Sequence, residues 1–159
     1  MHRNPYLDYS HMKNVRLKDF SFLVCILFGS AHVAADTAVT ADKLLPCPDS
    51  PNCVSSLSND QKHFIKPFAY RGSFENARQK LIDILQDSRG VHLVSVGKNY
   101  LHAEFRSLIF RFVDDVEFYF PAEQPIIHVK SASRSGYYDF GVNRRRVERL
   151  RSAFADPSK

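Results

Sequence analysis

The chain has 159 residues, a formal net charge of +5 and a hydrophobic fraction of 44%. That length suits one domain, and that fraction excludes a chain disordered throughout. The mild basic excess fits acidic partners such as phospholipid, polyanionic glycan or nucleic acid, and equally fits a protein that only stays soluble.

The first element in chain order is an address. From Met12, MKNVRLKDFSFLVCILFGSAHVAAD places Lys13, Arg16 and Lys18 before an apolar run from Phe20 to Phe28, with Ala31, Ala34 and Ala35 after it. This is the order of a secretory signal peptide. The run is too short to span a bilayer, which needs about 20 residues. Val33 and Ala35 supply the small side chains a peptidase needs, so cleavage is expected after Ala35. His2, Asp8 and His11 fit a charged leader poorly, and translation is expected to start at Met12. Residues 1–35 are thus assigned to the signal, with a retained N-terminal membrane anchor as the alternative. Val24 stands where a lipobox before Cys25 wants a small residue. The expected location is the periplasm or another exported compartment.

Residues 36–62 read as a polar lead-in containing PCPDSPNC, Pro46 to Cys53. Thiols pair in an oxidising compartment, and the prolines hold the loop bent, which predicts a Cys47–Cys53 disulfide. Closing so short a ring stabilises by roughly 2 kcal/mol. The spacing is not C-x-x-C and no histidine stands nearby, so no metal site is expected.

The folded domain is expected over residues 63–156. Phe64 to Arg71, interrupted by Pro67, reads as an edge strand. Ser73 offers an N-cap, and Phe74, Ala77, Leu81, Ile84 and Leu85 recur at helical spacing until Gly90. Val91 to Val96, Tyr100 to Ser107, Phe110 to Phe120 and Ile126 to Arg134 alternate as strands joined by short turns. In the third of these, Phe110, Phe112, Val116, Phe118 and Phe120 are assigned to the apolar face, with Asp114 among them. The expected class is α+β in the order β-α-β-β-β-β-α. Its sheet would be antiparallel, of four to five strands, with two helices packed on one face.

The last helix follows YYDFGVNRRRVERLRSAF. Asn143 is read as its N-cap. Val147, Leu150 and Phe154 form its apolar stripe, flanked by Arg144, Arg146 and Arg151. Arginine in the first turn opposes the helix dipole, at a cost of up to roughly 1 kcal/mol. One explanation is an internal ion-pair network, with Asp114 as the best partner because a carboxylate on a buried face must be paired. The other is an external anion held by guanidinium forks.

Catalytic motifs are lacking. No G-x-S-x-G, H-E-x-x-H, phosphate loop or dinucleotide fingerprint occurs, and no cofactor is expected. His102, Glu104, Asp115 and His128 share one sheet face, which leaves a hydrolase-like enzyme using carboxylate and histidine as the alternative to a non-catalytic envelope binding or accessory domain. Nucleic acid is not an expected partner, since the basic cluster lacks a reading motif. An anionic small molecule, a lipid headgroup or an envelope protein is, with the chain itself a monomer.

The blocks CPDSPNCVSS, FRFVDDVEFYF and HVKSASRSGYYDFGVNRRRVE resemble the bacterial domain-of-unknown-function 1499 family, over roughly Cys47 to Arg151. At Leu108 the chain departs from the resemblance, which often has a basic residue there. The resemblance implies a small exported or envelope-associated domain and no particular activity. It singles out Arg106, Asp114, Asp115, Arg134, Asp139, Asn143 and Arg144. With Arg146 these form the expected arginine-centred polar site.

Overall fold

The computed structural model describes residues 44–157. The expected signal segment, its cleavage point and the start at Met12 lie outside the described residues. The elements are β1 (Cys53–Ser55), β2 (Phe68–Ala69), α1 (Phe74–Asp87), β3 (Val91–Val96), β4 (Tyr100–Arg106), β5 (Val113–Tyr119), β6 (Ile126–Ser133) and α2 (Val142–Ala155). The fold is α+β. The sheet order is β1-β6-β5-β4-β3, all antiparallel, and β2 also pairs with β6.

The alternation of β4 and β5 has the expected consequence. Leu101, Ala103, Val116 and Phe118 turn inward and are fully buried, as are Ile127 and Val129 on β6. Helix α1 covers them with Leu81, Ile84 and Leu85, and α2 with Val147, Leu150 and Phe154. Each such side chain contributes roughly 1.5–3 kcal/mol by leaving water. Ser73 caps α1 as expected, its hydroxyl accepting from the Asn76 amide at 3.1 Å. Gly90 is required by a close approach: its φ is +76°, and a Cβ there would lie 2.8 Å from the Arg106 carbonyl oxygen.

Three expectations need correction. Phe110 and Phe112 do not line the apolar face; both are exposed. Residues 107–112 form the β4–β5 loop, closed by Ser107, whose amide donates to the Phe112 carbonyl and whose hydroxyl accepts from the Phe112 amide, both at 2.9 Å. Arg111 adopts φ +55°, which breaks the extended alternation before β5 begins. Second, the edge strand expected from Phe64 to Arg71 shrinks to Phe68–Ala69, because Pro67 has no amide to donate. Third, Asn143 is not the N-cap of α2. That position is Gly141, at φ +74°, and Asn143 lies buried inside the first turn.

The stretch read as a polar lead-in also holds β1. Cys53, Val54 and Ser55 pair with Ala132, Ser131 and Lys130, and all three are buried. The Cys47–Cys53 disulfide is present and ties the preceding loop to that strand.

Candidate functional site

The start of α2 is capped from outside the helix. Asp139 accepts from the Gly141 amide at 2.9 Å and from the Asn143 amide at 2.8 Å. A carboxylate there satisfies orphan donors and offsets the positive helix end, the charge that three successive arginines aggravate. Asn143 is the hub below. Its Nδ2 donates to Asp139, to the Ser133 hydroxyl and to the Asn52 carbonyl, at 2.9, 3.0 and 2.9 Å. Its Oδ1 accepts from the Ser131 hydroxyl and from Arg146 Nη1, each at 2.6 Å.

Arg146 crosses to β5. Its Nη2 donates to Asp114, and Nη1 also reaches the Ser131 hydroxyl at 3.1 Å. The side chains of this pair are 8% and 10% exposed. The Phe105 ring lies 4.9 Å from the guanidinium carbon. Asp114 stands among hydrophobes because Arg146 needs a counter-charge on the covered face of the sheet.

Arg144 does something the sequence did not suggest. Its two terminal nitrogens donate to the carbonyls of Phe64 and Lys62, both at 2.8 Å. Two turns further along α2, Arg151 donates to the carbonyls of Pro67 and Lys66 at 2.8 and 2.6 Å, and stacks 4.6 Å over the Phe68 ring. Together they hold the segment between β1 and β2, which itself bridges to β1 at Phe64 and Ser55. Arg145 donates to the Phe140 carbonyl at 2.8 Å.

Asp115, next in the chain to Asp114, faces the opposite side of the sheet. Its carboxylate accepts two bonds from Arg134, both at 2.7 Å, and contacts His102 Nε2 at 2.6 Å. Arg134 also donates to Glu104 at 2.5 Å. Desolvation raises the Asp115 pKa, but the hydrogen bonds and charges of Arg134 and His102 outweigh it and hold the group below the usual carboxylate range. The same two carboxylates push Arg134 further up. Beside them, Tyr100 donates to Glu117 at 2.5 Å; burial and that carboxylate raise its pKa.

The eight expected site residues therefore divide. Asp114, Asp139, Asn143 and Arg146 meet under α2, Asp115 and Arg134 meet on the other face, Arg144 holds main-chain carbonyls, and Arg106 is exposed at the end of β4. Asn52, Ser131 and the Ser56–His128 pair were not singled out as members. Ser56 Oγ lies 3.1 Å from His128 Nδ1 and accepts from the Val129 amide at 2.9 Å. Burial lowers the His128 pKa. Among the described residues no buried side-chain nitrogen or oxygen lacks a partner, and no group of three or more His, Cys, Asp or Glu is disposed to hold a metal ion.

One end of the sheet contrasts with this saturation. The register Phe105–Asp114–Ser133 brings the β4–β5 loop and the β6–α2 loop to the same end, where the Arg134 amide donates to the Val113 carbonyl at 3.1 Å. Asn52 Nδ2 steadies the second loop through the Gly136 carbonyl. Ile109, Phe110 and Phe140 are 83%, 73% and 77% exposed there. Phe110 stacks on Phe112 with centroids 5.8 Å apart, and Tyr138 meets Phe140 edge-on at 5.0 Å.

No curated protein matches the chain. Residues 43–154 match the family described as protein of unknown function (DUF1499), and the chain belongs to that family.

Proposed function

We propose that this protein is an exported, non-catalytic accessory domain of the cell envelope that acts by binding. Its contact region is the sheet end formed by residues 107–112 and 134–141, and the arginine-centred network beneath is the rigid mount. One observation carries this reading. The guanidinium groups of Arg144 and Arg146 donate inward to carbonyls, Asp114, Asn143 and Ser131, while large apolar side chains of both loops face solvent. A ligand site keeps groups whose partners arrive with the ligand. Here the inner arginines already have theirs, while the outer aromatics, which meet one another in pairs, remain open to solvent.

The test is a photoreactive amino acid at Phe110 of the full chain, irradiated in cells and read by mass spectrometry. An adduct at position 110, absent at the exposed control position Asn59, is expected. Irradiation that leaves position 110 as bare of adduct as the control sinks the reading. The hydrolase-like alternative is favoured by the His102–Asp115 contact. Arg134 occupies both oxygens of that carboxylate, which makes it a poor proton acceptor. Hydrolysis of an ester or glycan library that is lost in His102→Ala would favour the enzyme instead.

A further inference from the structure

Resting on the reading of this sheet end as the contact region, we infer that its partner is an anionic phospholipid surface. Ile109, Phe110, Tyr138 and Phe140 enter the interfacial layer, while Arg106, Arg111 and Arg145 meet headgroup phosphates. Leu108, Ile109 and Phe110 are 75%, 83% and 73% exposed in succession, so this turn projects beyond the sheet that carries it. Isolated apolar side chains on a surface are ordinary, but their concentration on two adjoining loops marks an interaction site. Aromatic rings, and tyrosine with its polar tip, suit the boundary between headgroups and acyl chains.

The charge at this end is complementary to such a surface. Among the described residues, neither Arg106 nor Arg111 has an ion-pair partner. Arg145 donates to a main-chain carbonyl and to no carboxylate. The acids at this end are consumed within the fold: Asp139 by the amides of α2, and Glu104 and Asp115 by Arg134. With Asp114 paired to Arg146, these four carboxylates face Arg106, Arg111, Arg134, Arg145 and Arg146, an excess of one positive charge. Anionic lipid attracts such clusters within a Debye length.

Backbone conformation adds an independent sign. The two non-glycine residues with positive φ among the described residues, Arg111 at 55° and Phe140 at 52°, sit one in each loop. Such conformations cost folding energy and concentrate where a surface is shaped for use. A protein partner would need a fitted pocket for each projecting side chain, whereas a bilayer admits them from any direction.

The chain contains no tryptophan, so Phe110→Trp places a single indole at the tip. The full-length variant is titrated with vesicles of mixed phosphatidylglycerol and phosphatidylcholine, and with phosphatidylcholine alone. A blue shift and quenching by shallowly brominated lipid are expected with the anionic vesicles only. Apparent affinity should fall at least tenfold in an Arg106→Gln, Arg111→Gln background and again on adding salt. Tyr138→Trp is the second probe, and circular dichroism verifies the fold of each. Emission unmoved by anionic vesicles, or moved equally by neutral ones, overturns the inference. So does emission already blue-shifted without lipid, whether dilution relieves it (a second copy) or leaves it (cover by the chain itself). Unmoved emission with a protein adduct at position 110 in cells sinks the lipid partner and leaves the binding reading standing. Loss of both sinks the two together.

Discussion

Asp114→Ala removes the counter-charge of a guanidinium whose side chain is 8% exposed. Arg146 would keep Asn143 Oδ1 at 2.6 Å, the Ser131 hydroxyl at 3.1 Å and the Phe105 face, but no negative charge. Breaking a buried pair by deleting one partner costs about 3–5 kcal/mol, because the remaining charge is stranded out of water. The two surviving hydrogen bonds argue for the lower end, about 3 kcal/mol. In a domain of this size that lowers Tm by about 10 °C or more. The exposed Arg151–Glu148 pair supplies the comparison, since Glu148→Ala should cost at most about 1 kcal/mol. Urea unfolding of the full chain by circular dichroism measures both, with unchanged m-values certifying the comparison. The double variant Asp114→Ala, Arg146→Met should recover part of the loss, because no charge is then buried. An Asp114→Ala variant within about 1 kcal/mol of the parent, or a double variant as unstable as the sum of the singles, would refute the assignment of this pair as the buried mount.

Arg144→Lys keeps the charge but loses the fork that spans the carbonyls of Phe64 and Lys62, and should cost about 1–2 kcal/mol. Faster tryptic cleavage after Lys62 reads the same loosening; an unchanged cleavage rate counts against the clamp. His128 is held neutral in the fold, below its ordinary value of 6.5. The unfolded chain binds that proton first, so this contribution is full above pH 6.5 and lost as pH falls below it. His128→Gln should flatten stability between pH 7 and 5. Asp115 is depressed below 3.8, so its contribution is present above that value and disappears on further acidification. Asp115→Asn should blunt the acid limb below about pH 4. Removing the Cys47–Cys53 disulfide with a Cys47→Ser, Cys53→Ser pair should cost roughly 2 kcal/mol, measured as a loss in urea midpoint.

Much of the framework was legible because local periodicity and capping agree with the fold. Ser73 caps α1, a short turn returns β3 onto β4, and the inward residues of β4, β5 and β6 follow strict alternation. The alternation misled at Phe110 and Phe112, since apolar identity at the right spacing does not reveal where pairing begins. That start is set by Arg106 pairing with Val113, which leaves residues 107–112 to turn the chain. Asn143 looked like a cap by composition, while Asp139 takes that role from before the helix. Strand β1 was hidden because three residues carry no period, and pairing with β6 makes them a strand.

Residue identity and spacing already required that Asp114 and Arg146 have charged company, because a buried carboxylate and a cation at a helix start are each too costly alone. The disulfide, the two amphipathic helices and the antiparallel order of the four long strands were legible in the same way. Which partner each arginine takes depends on how α2 packs. Main-chain carbonyls such as those of Lys62, Phe64, Lys66 and Pro67 leave no mark in side-chain identity, and Arg144 and Arg151 find them only when the helix lies against that segment. The same holds for the aromatic sheet end. Two loops far apart in the chain become one surface only through the register of β4, β5 and β6.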